Sequence, residues 1–470
     1  MSTVAHILAA AAAAQPNATA LVFGDRRLTY HEYGRAVASF GSHLKGKGER
    51  IATLLPNSIE ACIAMFGVLA SGAQLVPLNP LYTPSELEVI LEDADAALLV
   101  TDEHLPVPRN APPVLRLSRN HSFSEAHALP LPSPESLALL QYTGGTTGKP
   151  KGVNLTHRSI ATNIAQREAL LPTEPDRERI LCVMPLFHSY AMAMGLFLAA
   201  NCRGTLVILE RYKPETLLAA IERERITIFP GSPTLYTSLL AHPDFARTDW
   251  SSVHTCYSGA APLAEETLKR WQDAVGAPIF EGYGQTEAGP VLTFNPARGV
   301  TKPGSVGVPV PDTEIRIVEG EIVARGPQIM QGYRNRPQET AQALREGWLY
   351  TGDLGEFDAD GYLYVRGRKR DMVIVGGYNV YPREIEEVLC RHPAVTEAAV
   401  VGGPDPYWGE CLHAYVALRK KIDEVSLLEH CRAHLAKYKI PATLEIVEAL
   451  PRTSVNKVDK LALRERWTSS

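Results

Sequence analysis

The chain has 470 residues, 45% of them hydrophobic and 21% charged, which is ordinary globular material long enough for an enzyme of roughly two to four domains. The net charge of -5 comes with no block of like charges, so nucleic-acid binding has no electrostatic support and the expected ligands are small. Seven cysteines, Cys62, Cys182, Cys202, Cys256, Cys390, Cys411 and Cys431, are scattered, odd in number and never spaced C-x-x-C, which argues against a disulfide framework or zinc site and for a reducing cytoplasm.

Residues 7–14 are apolar and alanine-rich with no Lys or Arg before them, so they read as a helix rather than a signal peptide, and secretion is not expected. LTYHEYGRAVASFGSHL (28–44) reads helical, RIATLLP (50–56) as a strand, SIEACIAMFGVLAS (58–71) as a helix, and SELEVILEDADAALLVT (85–101) as helix then strand. Residues 61–78 carry no charge and are long enough to raise the question of a membrane span. Gly67, Ser71, Gly72, Gln74 and Pro77 divide them into a helix ending near Gly72 and a short strand, so no transmembrane segment is expected. This βαβ alternation implies a mostly parallel sheet covered by helices. Residues 102–136, studded with Pro106, Pro108, Pro112, Pro113, Pro130, Pro132 and Pro134, read as a loop or irregular connection. His121 and His127 within it have no cysteine neighbours and no helical spacing, so they read as surface histidines and not as metal ligands.

The next segment, QYTGGTTGKPKGV (141–153), is the most informative. Its glycines let backbone amides approach an anion, its threonines add donors and Lys149 and Lys151 add positive charge, so the chemistry points to phosphates, with a Gly/Thr-rich solvent loop as the bland alternative. A Walker loop is disfavoured, because only three residues separate Gly144 from Gly148 and Pro150 follows Lys149. The segment resembles the phosphate loop YTSGTTGxPKG of the adenylate-forming superfamily, which includes acyl-CoA synthetases, luciferases and peptide-synthetase adenylation domains. Glycine at the serine position resembles the fatty acyl-CoA ligase branch. The resemblance implies that Thr143, Gly144, Gly145, Thr146, Thr147, Gly148, Lys149 and Lys151 bind ATP, with Thr146 also near Mg²⁺.

Alternating units resume through PLFHSYAMAMGLFLAANCRGTLVIL (185–209) and ITIFPGSPTLYTSLL (226–240). The resemblance puts the acyl pocket around His188, Ser189 and Tyr190, the PGSPTLY stretch, and Ala288 and Gly289. His188 stands where amino-acid-activating relatives carry an aspartate; without that anion a buried ammonium would be unfavourable, so an unsubstituted acid is expected. Met192, Met194, Leu196 and Phe197 suit an alkyl or aryl chain and suit plain helix core at least as well. SGAAPL (258–263) resembles the adenine-flanking turn, with Gly259 and Ala260 allowing close approach, and reads equally as a tight strand–helix turn. EGYGQTE (281–287) resembles the family's YGxTE motif. By that resemblance Glu281, Gly282 and Tyr283 lie at the nucleotide, the Tyr283 ring near adenine, Thr286 reaches the α-phosphate and Glu287 helps to hold Mg²⁺, a role suited to a carboxylate.

From about Gly307 the texture changes to short alternating strands, TEIRIVEGEIVARG (313–326) and GYLYVRGR (361–368), as in a β-rich subdomain. YTGD (350–353) is by itself a common turn sequence, but it precedes GRKRD (367–371) in the order in which the family presents its ribose-binding Asp and Arg, which implies Asp353 and Arg368 at the ribose and Arg370 at an interdomain hinge. GGYNVYP (376–382) resembles the loop that lines the pantetheine tunnel, implying a coenzyme A role for Gly376, Gly377 and Tyr378; a hairpin turn is the plainer reading. PRTSVNK (451–457) resembles the C-terminal motif whose lysine bridges substrate carboxylate and α-phosphate, which makes Lys457 the catalytic cation together with Thr286, Glu287 and His188; Asn456 replaces the usual glycine, and Lys460 is the competing lysine.

The expected fold is α/β: a large N-terminal domain (1–369) of parallel α/β sheets plus a β-rich subdomain, with a small mobile α+β C-terminal domain (370–470). The resemblance covers nearly the whole chain and implies an AMP-forming acyl-CoA synthetase using ATP, Mg²⁺ and coenzyme A on a carboxylic acid, the fatty acids being favoured. Alternatives are an acyl-AMP ligase that loads a carrier protein and, from other classes, a luciferase-like monooxygenase or a non-catalytic acyl-adenylate sensor. Oligomeric state is not readable from the sequence.

Overall fold

A computed structural model describes residues 3–118, 131–143, 150–261, 263–453 and 457–468. His121 and His127 lie outside them. Among the described residues the strands form four sheets. In the nine-stranded sheet a parallel run, Ile279–Gly284, Thr255–Ser258, Ile228–Gly231, Arg179–Cys182, Thr205–Ile208 and Thr19–Phe23, is closed by antiparallel strands at both edges. In the seven-stranded sheet Leu137–Thr143, Gln74–Pro77, Arg50–Leu54, Leu98–Asp102 and Val114–Leu117 run parallel, and Lys151–Thr156 and Gly332–Tyr333 add antiparallel. The fold is the expected mixed α/β one.

The uncharged stretch at 61–78 is a core unit. Ser58 caps the helix Ile59–Ser71 by accepting from the Ala61 amide, and Gly72, at φ +85°, ends it before the strand Gln74–Pro77. Gly67 is required by packing: a Cβ there would lie 2.6 Å from Phe40 of the neighbouring helix Tyr30–Leu44. No helix among the described residues is long and apolar enough to cross a membrane. In the stretch read as irregular, Val114–Leu117 is in fact an edge strand of the seven-stranded sheet. Pro112 and Pro113, just before it, sit where proline costs no ladder bond.

The β-rich region is an antiparallel sheet of Glu314–Val318, Glu321–Arg325, Trp348–Phe357 and Leu344–Arg345, with Leu363–Arg368 also on Trp348–Phe357. Thr351, Gly352 and Asp353 therefore lie within a ten-residue strand and not in a free turn, the irregularity of the motif being absorbed by a register shift after Leu354. The fourth sheet, Tyr378–Val380, Val373–Val375, Gly409–Leu418 and Val395–Asp405, with Thr443–Val447 parallel to Gly409–Leu418, packs with the helices Pro382–Arg391 and Glu424–His434 around its own apolar core.

On one face of the nine-stranded sheet the helices Pro233–Leu240 and Glu265–Val275 bury an aromatic cluster in which Trp271, fully buried, has ring centroids 4.7 Å from Tyr236, 5.1 Å from Trp250 and 5.6 Å from Phe245. Trp271→Ala is expected to cost about 3–5 kcal/mol in denaturant unfolding; a loss under about 1 kcal/mol would show that the cluster closes over the gap.

Candidate active site

The phosphate-loop segment closes a hairpin whose stem pairs Thr143 with Lys151. Gly144, Gly145, Thr146, Thr147, Gly148 and Lys149 lie outside the described residues. The Lys151 ammonium sits 5.3 Å from the centre of the Tyr333 ring, and the Tyr333 hydroxyl donates to Glu287 Oε1 at 2.8 Å. Lys151 and Glu287 thus share one tyrosine, which fixes the acid beside the loop stem. Glu287 and Thr286 belong to the single helical turn Thr286–Ala288, where Thr286 Oγ1 is 3.3 Å from Ser189 Oγ. Gly289 ends that turn at φ +78°, and a Cβ there would be 2.9 Å from the Gln328 carbonyl oxygen. The adjacent Gln285 side chain holds a buried Nε2 with no partner among the described residues, a donor open to an incoming acceptor.

A second cluster surrounds Asp353, only 5% exposed. Its carboxylate accepts from the Tyr283 hydroxyl at 2.7 Å and pairs with Arg368 Nε at 3.2 Å, Arg368 being its register partner on the adjacent strand. Burial raises the Asp353 carboxyl above its ordinary value, and the charges of Arg368, Arg370 and Lys457 oppose that rise. Lys457 comes from the far end of the chain on a tight turn in which the Thr453 amide donates to the Lys457 carbonyl at 2.8 Å and the Lys457 amide to Thr453 Oγ1 at 3.2 Å. Asn456 lies outside the described residues. Burial and the charge of Arg368 push the Lys457 ammonium below its usual range, while Asp353 supports it. Lys460 is engaged elsewhere, paired with Glu386 at 2.6 Å.

His188 faces the same space. Its ring is pushed down to about 3, first by burial and then by the charge of Lys457, so it is a neutral imidazole. Nδ1 accepts from the Tyr190 amide at 3.2 Å, which leaves the proton on Nε2. Tyr190 packs its ring on Gly259, where a Cβ would stand 3.0 Å away, and donates to the Gly231 carbonyl at 3.2 Å. Met192, Met194, Leu196 and Phe197 are buried in the core, on a single π-helical segment, Met192–Phe197, that the sequence pattern does not announce.

Beside Gly259, Ala260 takes φ +69°, unusual for a residue with a Cβ, in the turn between the strand Thr255–Ser258 and the helix Glu265–Val275. That turn is held by Glu281, whose Oε1 accepts from the Leu263 amide at 3.1 Å. Gly282 and Gly284 answer to packing, since Cβ atoms there would lie 2.4 Å from Phe294 and 1.9 Å from the Pro290 carbonyl oxygen. Gly376 and Gly377, at φ +57° and +87°, form the turn of the hairpin Val373–Val375 and Tyr378–Val380. Gly376 lies against Trp408, and Tyr378 stacks on Tyr438 with centroids 4.4 Å apart. This group is exposed and is not gathered with the cluster around Asp353. Arg370, on the helical turn Lys369–Asp371, stands 3.9 Å from Asp371.

Sequence reasoning missed three supports: Tyr333; Gln141, whose Nε2 donates to the Phe187 carbonyl at 3.0 Å; and Asn57, which donates to the Met184 carbonyl at 3.0 Å and accepts from the Leu186 amide at 2.8 Å. Asn57 follows the end of a parallel strand, the usual place for a site in such sheets, and that was its one available signal.

Residues 8–334 match the AMP-binding enzyme family, and residues 384–457 match the C-terminal domain of AMP-binding enzymes. The chain belongs to the AMP-binding enzymes. It is 36% identical to a long-chain-fatty-acid–CoA ligase of Bacillus subtilis, over all of this chain and 95% of that protein. It is 37% identical to a feruloyl-CoA synthase of an Amycolatopsis species, over 96% of each. Its fold superimposes on ATP-bound MatB from Rhodopseudomonas palustris with a TM-score of 0.91 at 29% identity, covering 99% of both chains. This AMP-binding enzyme is an acyl-CoA synthetase of the adenylate-forming superfamily, an AMP-forming acid–thiol ligase that works with ATP and coenzyme A.

Glu281, 6% exposed, has its carboxyl pushed up to about 7 by burial. An acid whose folded value exceeds the unfolded one of about 4.3 binds more protons when folded, so its contribution to stability falls as pH rises from there to 7. Glu281→Gln keeps an acceptor for Leu263 and removes that loss. The variant is expected to melt like the parent near pH 4 and to be the more stable above pH 7, by about 3–4 kcal/mol; an unchanged difference across that window would place the Glu281 carboxyl in its ordinary range.

Proposed function

We propose that the enzyme activates an unsubstituted carboxylic acid, a fatty acid in preference to an aryl acid, as its acyl-adenylate and passes the acyl group to free coenzyme A in the cytoplasm. The observation that supports the adenylation reading is that Lys457 lies near enough to Asp353, Arg368 and His188 for their charges to act on one another, since this brings one lysine from the C-terminal end to the paired strands Trp348–Phe357 and Leu363–Arg368 and to the loop before Ser189.

In the first step a carboxylate oxygen bonds the α-phosphorus of ATP and pyrophosphate leaves with the electron pair of the bond that breaks. Negative charge gathers on the α-phosphate oxygens, and Lys457 is the cation that offsets it there. Asp353 accepts the ribose hydroxyls with Arg368 beside it, and residues 143–151 with Thr286 hold the phosphates. The Gly259–Ala260 turn, supported by Glu281 with Gly282 and Tyr283, flanks the base. Among the described residues no cluster of three or more His, Cys, Asp or Glu is arranged to hold a metal. Mg²⁺ takes one or two carboxylates plus phosphate oxygens, and Glu287, set beside the loop stem by Tyr333, with Thr146 are the side chains that would hold it. The ion supplies charge neutralisation at the phosphates. In the second step the thiol bonds the acyl carbon and AMP leaves; we assign Gly376, Gly377 and Tyr378 to the coenzyme A path and Arg370 to a hinge between residues 1–369 and 370–470.

His188, Ser189, Tyr190, Ala288 and Gly289 line the acyl side. A neutral imidazole offers no anion to an ammonium, which supports an acid without an α-amino group. The fatty-acid and feruloyl ligases among its relatives frame the remaining choice. Lys457→Ala is expected to lower acid-dependent pyrophosphate exchange by about 10²–10³-fold while ATP binding persists; undiminished exchange refutes the lysine assignment. In a pyrophosphate-release panel, aliphatic acids of medium to long chain should give the highest kcat/KM, and higher values with cinnamic acids would move the enzyme to the aryl side.

A further inference from the structure

Lys457 lies in the small lobe, residues 370–470, and one side chain of its turn crosses over to the large lobe, residues 1–369. Arg452 opens the turn, bridging to Val458 on the returning strand. Its guanidinium forks: Nη2 pairs with Glu397 on the strand Val395–Asp405 of the same lobe, and Nη1 donates to Thr234 Oγ1 at 3.4 Å on the large lobe. Thr234 lies in the first turn of the helix Pro233–Leu240, directly after the strand whose Gly231 carbonyl receives the Tyr190 hydroxyl. The path from the acyl-side wall to Lys457 is therefore continuous: helix start, Thr234, Arg452, turn, Lys457.

We propose that Arg452 is a positioning residue for adenylation, a latch whose bond to Thr234 sets the Lys457 turn against the large lobe during the first half-reaction and is not used in the second. The inference rests on the reading of Lys457 as the adenylation cation. Glu397 matters to it physically: by holding one edge of the guanidinium it leaves the other edge pre-aimed across the gap, which reduces the entropy lost on closing. Neither Arg452 nor Thr234 touches the cluster around Asp353, so the latch acts on geometry alone.

The two half-reactions are measured separately on the full chain: acid-dependent ATP–pyrophosphate exchange, and transfer from a presynthesised acyl-adenylate to coenzyme A. Arg452→Ala is expected to lower the kcat of exchange about ten-fold, the scale of one hydrogen bond to a charged group, with KM for acid and ATP unchanged and acyl transfer intact, and Thr234→Val, which lies in the stretch assigned to the acyl side, is expected to lower the kcat of exchange to the same extent. Thr234→Ser, which keeps the hydroxyl, restores exchange, and the double variant Thr234→Val/Arg452→Ala is no slower than Arg452→Ala alone. Equal loss in both half-reactions, a change confined to KM for the acid, or additive losses in the double variant overturns the latch. Exchange unaffected by Thr234→Val while Lys457→Ala is inactive overturns the latch alone; exchange unaffected by Lys457→Ala overturns the lysine reading beneath it, and the latch with it.

Discussion

A carboxylate removed from water must be neutralised where it sits, and Asp353 is the group on which this constraint falls hardest. Its two oxygens are answered by Tyr283 and Arg368, which come from the last strand of the parallel run in the nine-stranded sheet and from the adjacent strand of the β-rich sheet, so two layers of the large lobe are tied at one side chain. Lys457 adds a third layer. A desolvated ammonium near Arg368 is disfavoured on its own, and the same Asp353 makes its presence tolerable. Arg368, Arg370 and Lys457 act on Asp353 and Lys151 shares Tyr333 with Glu287, so four cations stand against two carboxylates, a surplus complementary to a polyanion.

The glycines of the motifs serve this assembly in a way their phosphate chemistry does not suggest. Gly282 and Gly284 let the strand Ile279–Gly284 lie against Phe294 and the Pro290 carbonyl, and so set the height at which Tyr283 points to Asp353. Gly259 admits the Tyr190 ring, which in turn fixes the wall beside His188. Within these stretches small residues first permit close backbone packing, and the functional side chains between them inherit their positions from it.

The fold was legible where periodicity was strong and punctuation clear: the helix Ile59–Ser71 with Ser58 before it and Gly72 after it reads directly from the chain. It was less legible where tertiary contacts decide, as in Val114–Leu117, too short and too exposed to signal a strand, and in Trp348–Phe357, where pairing of the residues on either side carries a turn-like Thr-Gly-Asp through the strand as a register shift. At the site, motif residues could be named singly, but their supports could not. Tyr333 joins Lys151 to Glu287 across gaps of chain that no local pattern spans, and the π-helical stretch at Met192–Phe197 depends on burial from every side. Arg452 carries no signal beyond its motif, because what distinguishes it is a contact with Thr234, far away in sequence.

The small lobe carries two features that the proposed chemistry needs at different moments. The turn bearing Lys457 is directed into the cluster around Asp353, while Gly376, Gly377 and Tyr378 face solvent with Trp408 and Tyr438 beside them. The two features pack on clusters built from the same strands, Val373, Val375 and Val380 with Val400 and Leu412, and Leu450 and Val458 with Ala399, Val401 and Tyr415, so they cannot be brought to the same place at once without dismantling that packing. Under the proposed assignments, a two-step reaction at a single acyl carbon is served by a turn of the whole lobe between steps. Two contacts that hold the present arrangement are polar, Arg452 to Thr234 and Arg383 Nη1 to the Val365 carbonyl, and contacts of that kind can break on each turnover where an apolar seam of core quality would fix Lys457 in place.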